Sequence, residues 1–385
     1  MIARMSIHSL LKQLVPPAVR SLLARLLGPL WALPRCFSIF LMRRIRDGVP
    51  HVYYGYAHIP SKTEHARGGI IKSQILQEVF PNSLSPFNLL YLVSSRVPYG
   101  AVQVVGAARM KGAHLVWNQN GVAYPAWHGP GWKAVNAPLA TLLHAADYVF
   151  YQSEFCRRSA DRYLGVRKGP WEILYNPVDT DTFTPAVFDS DPRHLVLLLG
   201  GNQYQFYRLS TAFHVLAEVL RHRSNVKLIV TGRLCWLADE AKAARIAVRL
   251  ASELGVQEKV HFLGPYSQRD APDIFRQAHL MLHTKYNDPC PGVVIEAMAC
   301  GLPIVYSDSG GVPELVGKEA GRGIPVEMNW DKDLPPDPKA MAAAVLDVAE
   351  HRKDLSSAAR RRAKEKFDIR PWLQRHREVF ERLVQ

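Results

Sequence analysis

From residue 50 onward, short apolar runs alternate with longer segments in which apolar residues return every three or four positions. That is the pattern of parallel strands covered by helices. In the first half, His51 to Tyr56, Phe87 to Val93, His114 to Trp117, Tyr148 to Tyr151 and Trp171 to Leu174 predict strands. Helices are expected after Gly68-Gly69, where Ile70, Ile71, Ile75, Leu76 and Val79 share a face, and after Ser153, whose hydroxyl suits an N-cap. The second half opens on His194 to Leu199, an almost unbroken apolar run of the kind a strand buried on both faces requires. Lys227 to Thr231, Lys259 to Leu263, Leu280 to His283, Pro303 to Ser307 and Gly323 to Val326 complete a second set of strands. Between the halves, Asn176 to Pro192 holds Pro177, Pro185, Pro192 and several aspartates with no period, and reads as a linker. Residues 337 to 385 read as charged helices broken at Pro371.

These boundaries divide the chain into a leader (1–48), an N-terminal α/β domain (49–185), a C-terminal α/β domain (186–365) and a terminal helix (366–385) that packs back on the N-domain. A length of 385 residues fits two such domains. Composition changes the picture at one end only. The formal charge is +14, of which residues 1–48 contribute +7, from eight basic residues against Asp47. The leader is also apolar, in runs such as Leu22 to Leu27 and Phe37 to Met42, but Arg25, Arg35, Pro16, Pro17, Pro29 and Pro34 interrupt it. No stretch reaches the ~20 residues needed to span a bilayer, and no small-residue cleavage site follows a clean apolar region. A basic amphipathic leader of this kind is expected to lie on an anionic membrane surface, on the cytoplasmic side; packing against its own N-domain is the competing expectation. Five scattered cysteines without a CxxC pair point to a reducing compartment and no structural zinc.

The densest chemical signal is Asp288-Pro-Cys-Pro-Gly-Val-Val-Ile-Glu296-Ala-Met-Ala-Cys-Gly301, followed by Ser309-Gly-Gly-Val-Pro-Glu314. A strand, a Pro/Gly turn and a helix start offer free amides at a positive helix end, where a phosphate or carboxylate is held. Two acids eight residues apart, one before the helix and one inside it, suit hydroxyl groups at the two ends of a ligand lying across that terminus.

This segment resembles glycosyltransferase family 4, the retaining family with two Rossmann-like domains facing a central cleft (GT-B). The family's mark is two acids with seven residues between, then Ala-Met-Ala-x-Gly-x-Pro-Val and Gly-Gly-x-Pro-Glu; Asp288 and Glu296 stand in the acid positions. Tyr175 to Phe183 and Val260 to Gly264 extend the resemblance. It implies a nucleotide-diphosphate sugar as donor, a glycan or lipid-linked acceptor, no cofactor and no metal. It implies that Glu296 holds the nucleotide ribose, that Asp288 touches the donor sugar, and that Gly310, Gly311, Gly68 and Gly69 let backbone approach the donor.

Departures from the family pattern shift other roles. The usual phosphate-binding Arg and Lys are replaced by Asn202 and Tyr207 in the loop from Gly200 to Arg208. Arg208 is therefore the expected diphosphate ligand, with Gly201 and Asn202 beside it, unless it forms only a surface salt bridge. Cys290-Pro291 stands where the family has Phe-Gly, so phosphate contact is expected at Gly292 and Val293. Asn120 takes the place of a strand-end histidine and keeps a hydrogen bond to the sugar, while His128 is the candidate on the acceptor side. Three rival readings remain at this point. A metal-dependent transferase would use Asp179-x-Asp181 or Asp189-x-Asp191, neither of which follows a buried strand. A nucleotide-sugar epimerase would need N-domain acids and bases that are not apparent. A nonenzymatic membrane- or RNA-binding protein fits the charge but leaves the acid pair unexplained, and no nucleic-acid partner is expected.

Overall fold

The computed structural model describes residues 30, 32–61, 64, 68–186 and 194–385. Among the described residues eleven strands form two sheets, each parallel throughout. The first contains β1 (Val52–Tyr53), β2 (Leu89–Val93), β3 (His114–Gln119), β4 (Tyr148–Tyr151) and β5 (Trp171–Ile173), in that spatial order. The second contains β6 (Leu195–Leu199), β7 (Val226–Thr231), β8 (Val260–Gly264), β9 (Leu280–His283), β10 (Ile304–Asp308) and β11 (Gly321–Pro325), in the order β11-β10-β9-β6-β7-β8. Position in the sheet explains the sequence pattern. β6 lies between β9 and β7 with helices on both faces, hence its unbroken apolar run. β8 is an edge strand, and its Phe262 and Leu263 remain exposed.

The connections after β3, β4, β6 and β9 all open toward the space between the sheets, as expected for parallel sheets that bind ligands beyond the carboxyl ends of their strands. Helix Glu154–Tyr163 begins there, with the Ser153 hydroxyl accepting from the Cys156 amide at 3.0 Å. The same hydroxyl donates to the Pro289 carbonyl at 2.6 Å, and the Glu314 carboxylate accepts from the amides of Glu154 and Phe155 at 2.7 and 2.8 Å. Glu314 thus caps a helix of the opposite domain, where a negative charge is favoured. The Gly-Gly-Val-Pro-Glu segment clamps the two domains together.

The C-terminal helices run Pro338–Glu350, Arg352–Lys366 and Ile369–Val384. Pro371 does not break them. It sits in the first turn of the last helix, where a missing N–H costs nothing, and the interruption falls at Phe367 and Asp368. Trp372, His376, Val379 and Phe380 of that last helix are buried against Tyr54, Phe80, Tyr91 and Phe150 of the N-domain.

Most of the leader, residues 1–29 with Arg4, Lys12, Arg20 and Arg25, lies outside the described residues. A helix over 32–41 is described, and it has two unlike faces. Ala32, Ile39 and Met42 are buried in the N-domain core, and Arg35 stacks 4.2 Å from the Tyr53 ring centroid. Leu33, Phe37, Phe40 and Leu41 are 57%, 65%, 64% and 68% exposed. Among the described residues no helix is long and apolar enough to cross a membrane.

Candidate active site

A cavity of about 390 Å³ separates the two sheets. Its C-domain wall is built around helix Gly292–Ala299. Pro291 is the N-cap residue and offers no side-chain cap. The first-turn amides of Gly292 and Val293 have no intrahelical acceptor, and both residues line the cavity. One turn further along, Glu296 projects from the same helix into the same cavity. Its carboxylate makes no hydrogen bond or ion pair among the described residues, and burial alone pushes its pKa up to about 7.

Asp288 sits in the turn before that helix under opposite conditions. Lys285 Nζ lies 3.1 Å and His283 Nε2 3.2 Å from its carboxylate oxygens. Burial alone would raise the Asp288 carboxyl, but Lys285, His283 and Arg208 outweigh it and hold it well below the usual carboxylate range. The pair of acids is therefore split into one held ionised and one poised near neutrality.

Arg208 is 4% exposed, which excludes the surface salt bridge. One terminal nitrogen donates to the Asn202 carbonyl at 2.6 Å, while its buried Nε has no partner among the described residues. Tyr207 does not face the ligand space: its hydroxyl accepts from the Tyr286 amide at 3.0 Å. Gly201 and Asn202 line the cavity, with the Asn202 side-chain oxygen accepting from the Arg233 amide at 2.9 Å. On the N-domain wall stand Gly68, Gly69 and Asn120. A Cβ at Gly69 would lie 2.6 Å from Ser95 Oγ and 2.8 Å from Val93 Cγ1, so this loop packs on β2 only as glycine. Asn120 spends its side-chain oxygen on the Gly121 amide at 2.8 Å, leaving its NH₂ without a partner among the described residues.

Three residues singled out in the sequence lie outside the cavity. His128 ends helix Pro125–His128 on the exposed surface and does not line the cavity. Gly310 and Gly311 do not line it either. A Cβ at Gly310 would sit 2.5 Å from the Asp288 carbonyl oxygen and one at Gly311 2.0 Å from that of Pro289, so both glycines pack under the Asp288 turn. The Gly311 amide donates to the Asp288 carbonyl at 2.8 Å and fixes the turn instead of touching a ligand. Three further basic side chains that the sequence motifs do not single out line the cavity: Lys72, His283 and Lys285. Lys72, three residues after Gly69 on the helix facing the cleft, was the one most open to discovery by spacing.

Two all-parallel α/β domains facing a cleft define the GT-B fold. The stretch 193–366 matches the model of the family described as glycosyl transferases group 1. Curated relatives that match part of the chain include the D-inositol 3-phosphate glycosyltransferases of Mycobacterium sp. (strain KMS), 32% identical over 152 residues, and of Mycolicibacterium smegmatis, 41% identical over 150 residues. Each match covers 38% of this chain and 33% or 34% of the relative, so the chain spans about one third of their length. Among solved structures, Anabaena HepE in complex with UDP superposes with a TM-score of 0.62 at 20% identity, covering 82% of this chain and 89% of that one. Sucrose-phosphate synthase from Thermosynechococcus elongatus gives 0.62 at 18% identity, covering 77% and 74%.

Proposed function

We propose that the protein is a retaining glycosyltransferase that moves a sugar from a nucleoside-diphosphate donor to a glycan or lipid-linked acceptor without a metal. The observation that carries this reading is the placement of an unpartnered carboxylate, Glu296, one helical turn from the open amides of Gly292 and Val293. Four residues of helix rise about 6 Å, the reach from ribose hydroxyls to a phosphate. Asp288, held ionised, accepts hydrogen bonds from the transferred sugar. The amides, Arg208 and the helix dipole stabilise the negative charge that develops on the departing diphosphate, which is the step an enzyme gains most by stabilising.

Metal independence rests on that arrangement. Among the described residues no group of three or more His, Cys, Asp or Glu is placed so that it could hold a metal ion. Asp179 turns its carboxylate on the Asp181 and Thr182 amides, and Asp181 faces Arg370 at 3.4 Å, so that pair braces the linker. Asp189 and Asp191 lie outside the described residues. A thermal-shift screen with ADP, GDP, UDP and dTDP and their sugars is expected to give a shift with one base. Transfer from that donor is expected to persist in excess EDTA; activity lost to EDTA and restored by manganese would overturn the metal-free reading.

We also infer that the protein works at the cytoplasmic face of a membrane. Its cysteines are all free. The apolar row Leu33, Phe37, Phe40 and Leu41 lies beside Arg43, Arg44, Arg46 and Lys111, a combination suited to an anionic bilayer. Deleting residues 1–46 would also remove Ala32 and Ile39 from the core, so the cleaner test replaces the four exposed residues by serine. That variant is expected to keep nucleotide binding and to stop sedimenting with phosphatidylglycerol vesicles. Equal sedimentation would refute the docking surface.

A further inference from the structure

We propose that Lys72, on the domain opposite the nucleotide-holding helix, supplies the cation that receives the leaving diphosphate, in place of the Arg and Lys missing from the loop after β6. This rests on the nucleoside-diphosphate reading and names a residue that reading does not require.

Lys72 lies on helix Ile70–Leu76, directly after the glycine loop that faces the cleft, and lines the cavity while only 6% exposed. Its ammonium has no hydrogen bond and no ion pair among the described residues. The groups whose charge acts on it are the thiols of Cys290, in the turn before Gly292, and of Cys156, on helix Glu154–Tyr163. Burial pushes both thiols up, so neither is an anion at neutral pH. From the C-terminal helix the buried His376 acts on the same neighbourhood, and burial drives it down to about 3, leaving it neutral. A buried ammonium without a counter-charge is costly to keep. The fold keeps it at the edge of a cavity whose opposite wall ends in open amides.

The other cations are already spoken for. Asp288 is shared by Lys285 at 3.1 Å and by the nearby Arg208, so their positive charge is partly balanced before any ligand arrives. Glu296 carries no cation. An entering diphosphate therefore finds one basic group whose charge nothing in the empty site offsets, and it comes from the facing domain. Phosphate binding then ties the two domains together through Lys72, while the nucleoside is held by the C-domain alone.

Burial pushes the Lys72 ammonium down to about 8 in the empty site. A bound diphosphate favours the charged form and moves it up again. Binding at pH 8.5 should therefore take up a proton. Glu296 near 7 is already ionised there, Asp288 lies far below, His283 is pushed down by burial, and none of the three changes its charge.

The test is calorimetric titration at pH 8.5, in two buffers of different ionisation enthalpy, with the nucleoside diphosphate selected from ADP, GDP, UDP and dTDP and with its parent nucleoside. Lys72→Met is expected to weaken the diphosphate by about 10- to 100-fold and the nucleoside by less than about twofold. Lys72→Arg, always charged, is expected to keep most of the affinity and to lose the proton uptake seen with wild type. Equal loss for nucleoside and diphosphate, or unchanged diphosphate affinity in Lys72→Met, overturns the assignment. If Lys72→Met does not fold, wild type taking up no proton overturns it as well. A wild type that binds its nucleoside but gains nothing from the phosphates removes this proposal alone, whereas one that binds no nucleotide of the panel removes the transferase reading with it.

Discussion

Glu296→Gln is expected to weaken binding of the nucleoside diphosphate by about tenfold or more and, at the same time, to stabilise the empty protein above neutral pH. The first effect follows from charge-assisted hydrogen bonds between a carboxylate and two ribose hydroxyls, each worth about 1.5 to 3 kcal/mol when desolvated; Gln keeps the size and one acceptor but not the charge. The second follows from burial. The carboxyl moves from its ordinary 4.5 to about 7 in the fold. Between those values the folded chain holds a proton that the unfolded chain has released. Stability is therefore greatest below pH 4.5, falls as pH rises, and is lowest once pH has passed 7; the full shift corresponds to at most about 3 kcal/mol. Glutamine does not ionise and escapes this loss. Denaturation curves of the two proteins should accordingly agree near pH 4.5 and diverge in favour of the variant at pH 8.

Binding has the opposite sign on the same group. Below pH 7 the wild-type carboxyl is protonated and resembles the variant's amide, so nucleotide affinity should fall toward that of Glu296→Gln by up to about tenfold per pH unit. Affinities that coincide at pH 8 would sink the ribose assignment, and a variant no more stable than wild type at pH 8 would show that Glu296 is hydrated, not buried.

What the sequence reveals and what it hides divide along a physical line. Strands buried on both faces announce themselves as apolar runs, so β4 and β9 carry the expected limits and β6 begins one residue late. The acid pair and the helix start were legible because strand, turn and helix are contiguous in the chain. Contacts between distant segments were not. Glu314 reads as part of a glycine turn and proves to cap a helix 160 residues earlier. Gly310 and Gly311 look like ligand-facing backbone because glycine marks close approach, but what approaches is the Asp288 turn. His128 and Asn120 are eight residues apart in sequence, yet only Asn120, at the end of β3, reaches the cavity. Pro371 misled because its cost depends on position within a helix, which the residue type alone does not record.

Asp288→Asn separates the two acids. Turnover with the intact donor is expected to fall by about 100-fold or more, with affinity for the free nucleoside diphosphate unchanged or slightly higher. Lys285 and His283, 3.1 and 3.2 Å away, hold the Asp288 carboxyl well below the usual carboxylate range, so on the proposed reading the wild-type site presents an ionised acceptor to the sugar. Asparagine keeps the shape, but it removes the charge-assisted contact and leaves Lys285 and Arg208 uncompensated beside the reacting centre. The lost contact is worth about 1.5 to 3 kcal/mol, and the misplaced positive charge opposes an anomeric carbon that becomes cationic as its bond to the diphosphate breaks. The product diphosphate feels the change differently. It carries no sugar for Asp288 to hold, and an Arg208 released from its carboxylate attracts phosphate at least as strongly as before. The loss should therefore appear in kcat, while a nucleoside-diphosphate inhibition constant stays level or drops. If that constant rises in step with the loss of turnover, Asp288 acts as scaffold for the phosphate site, and the sugar contact belongs to another residue.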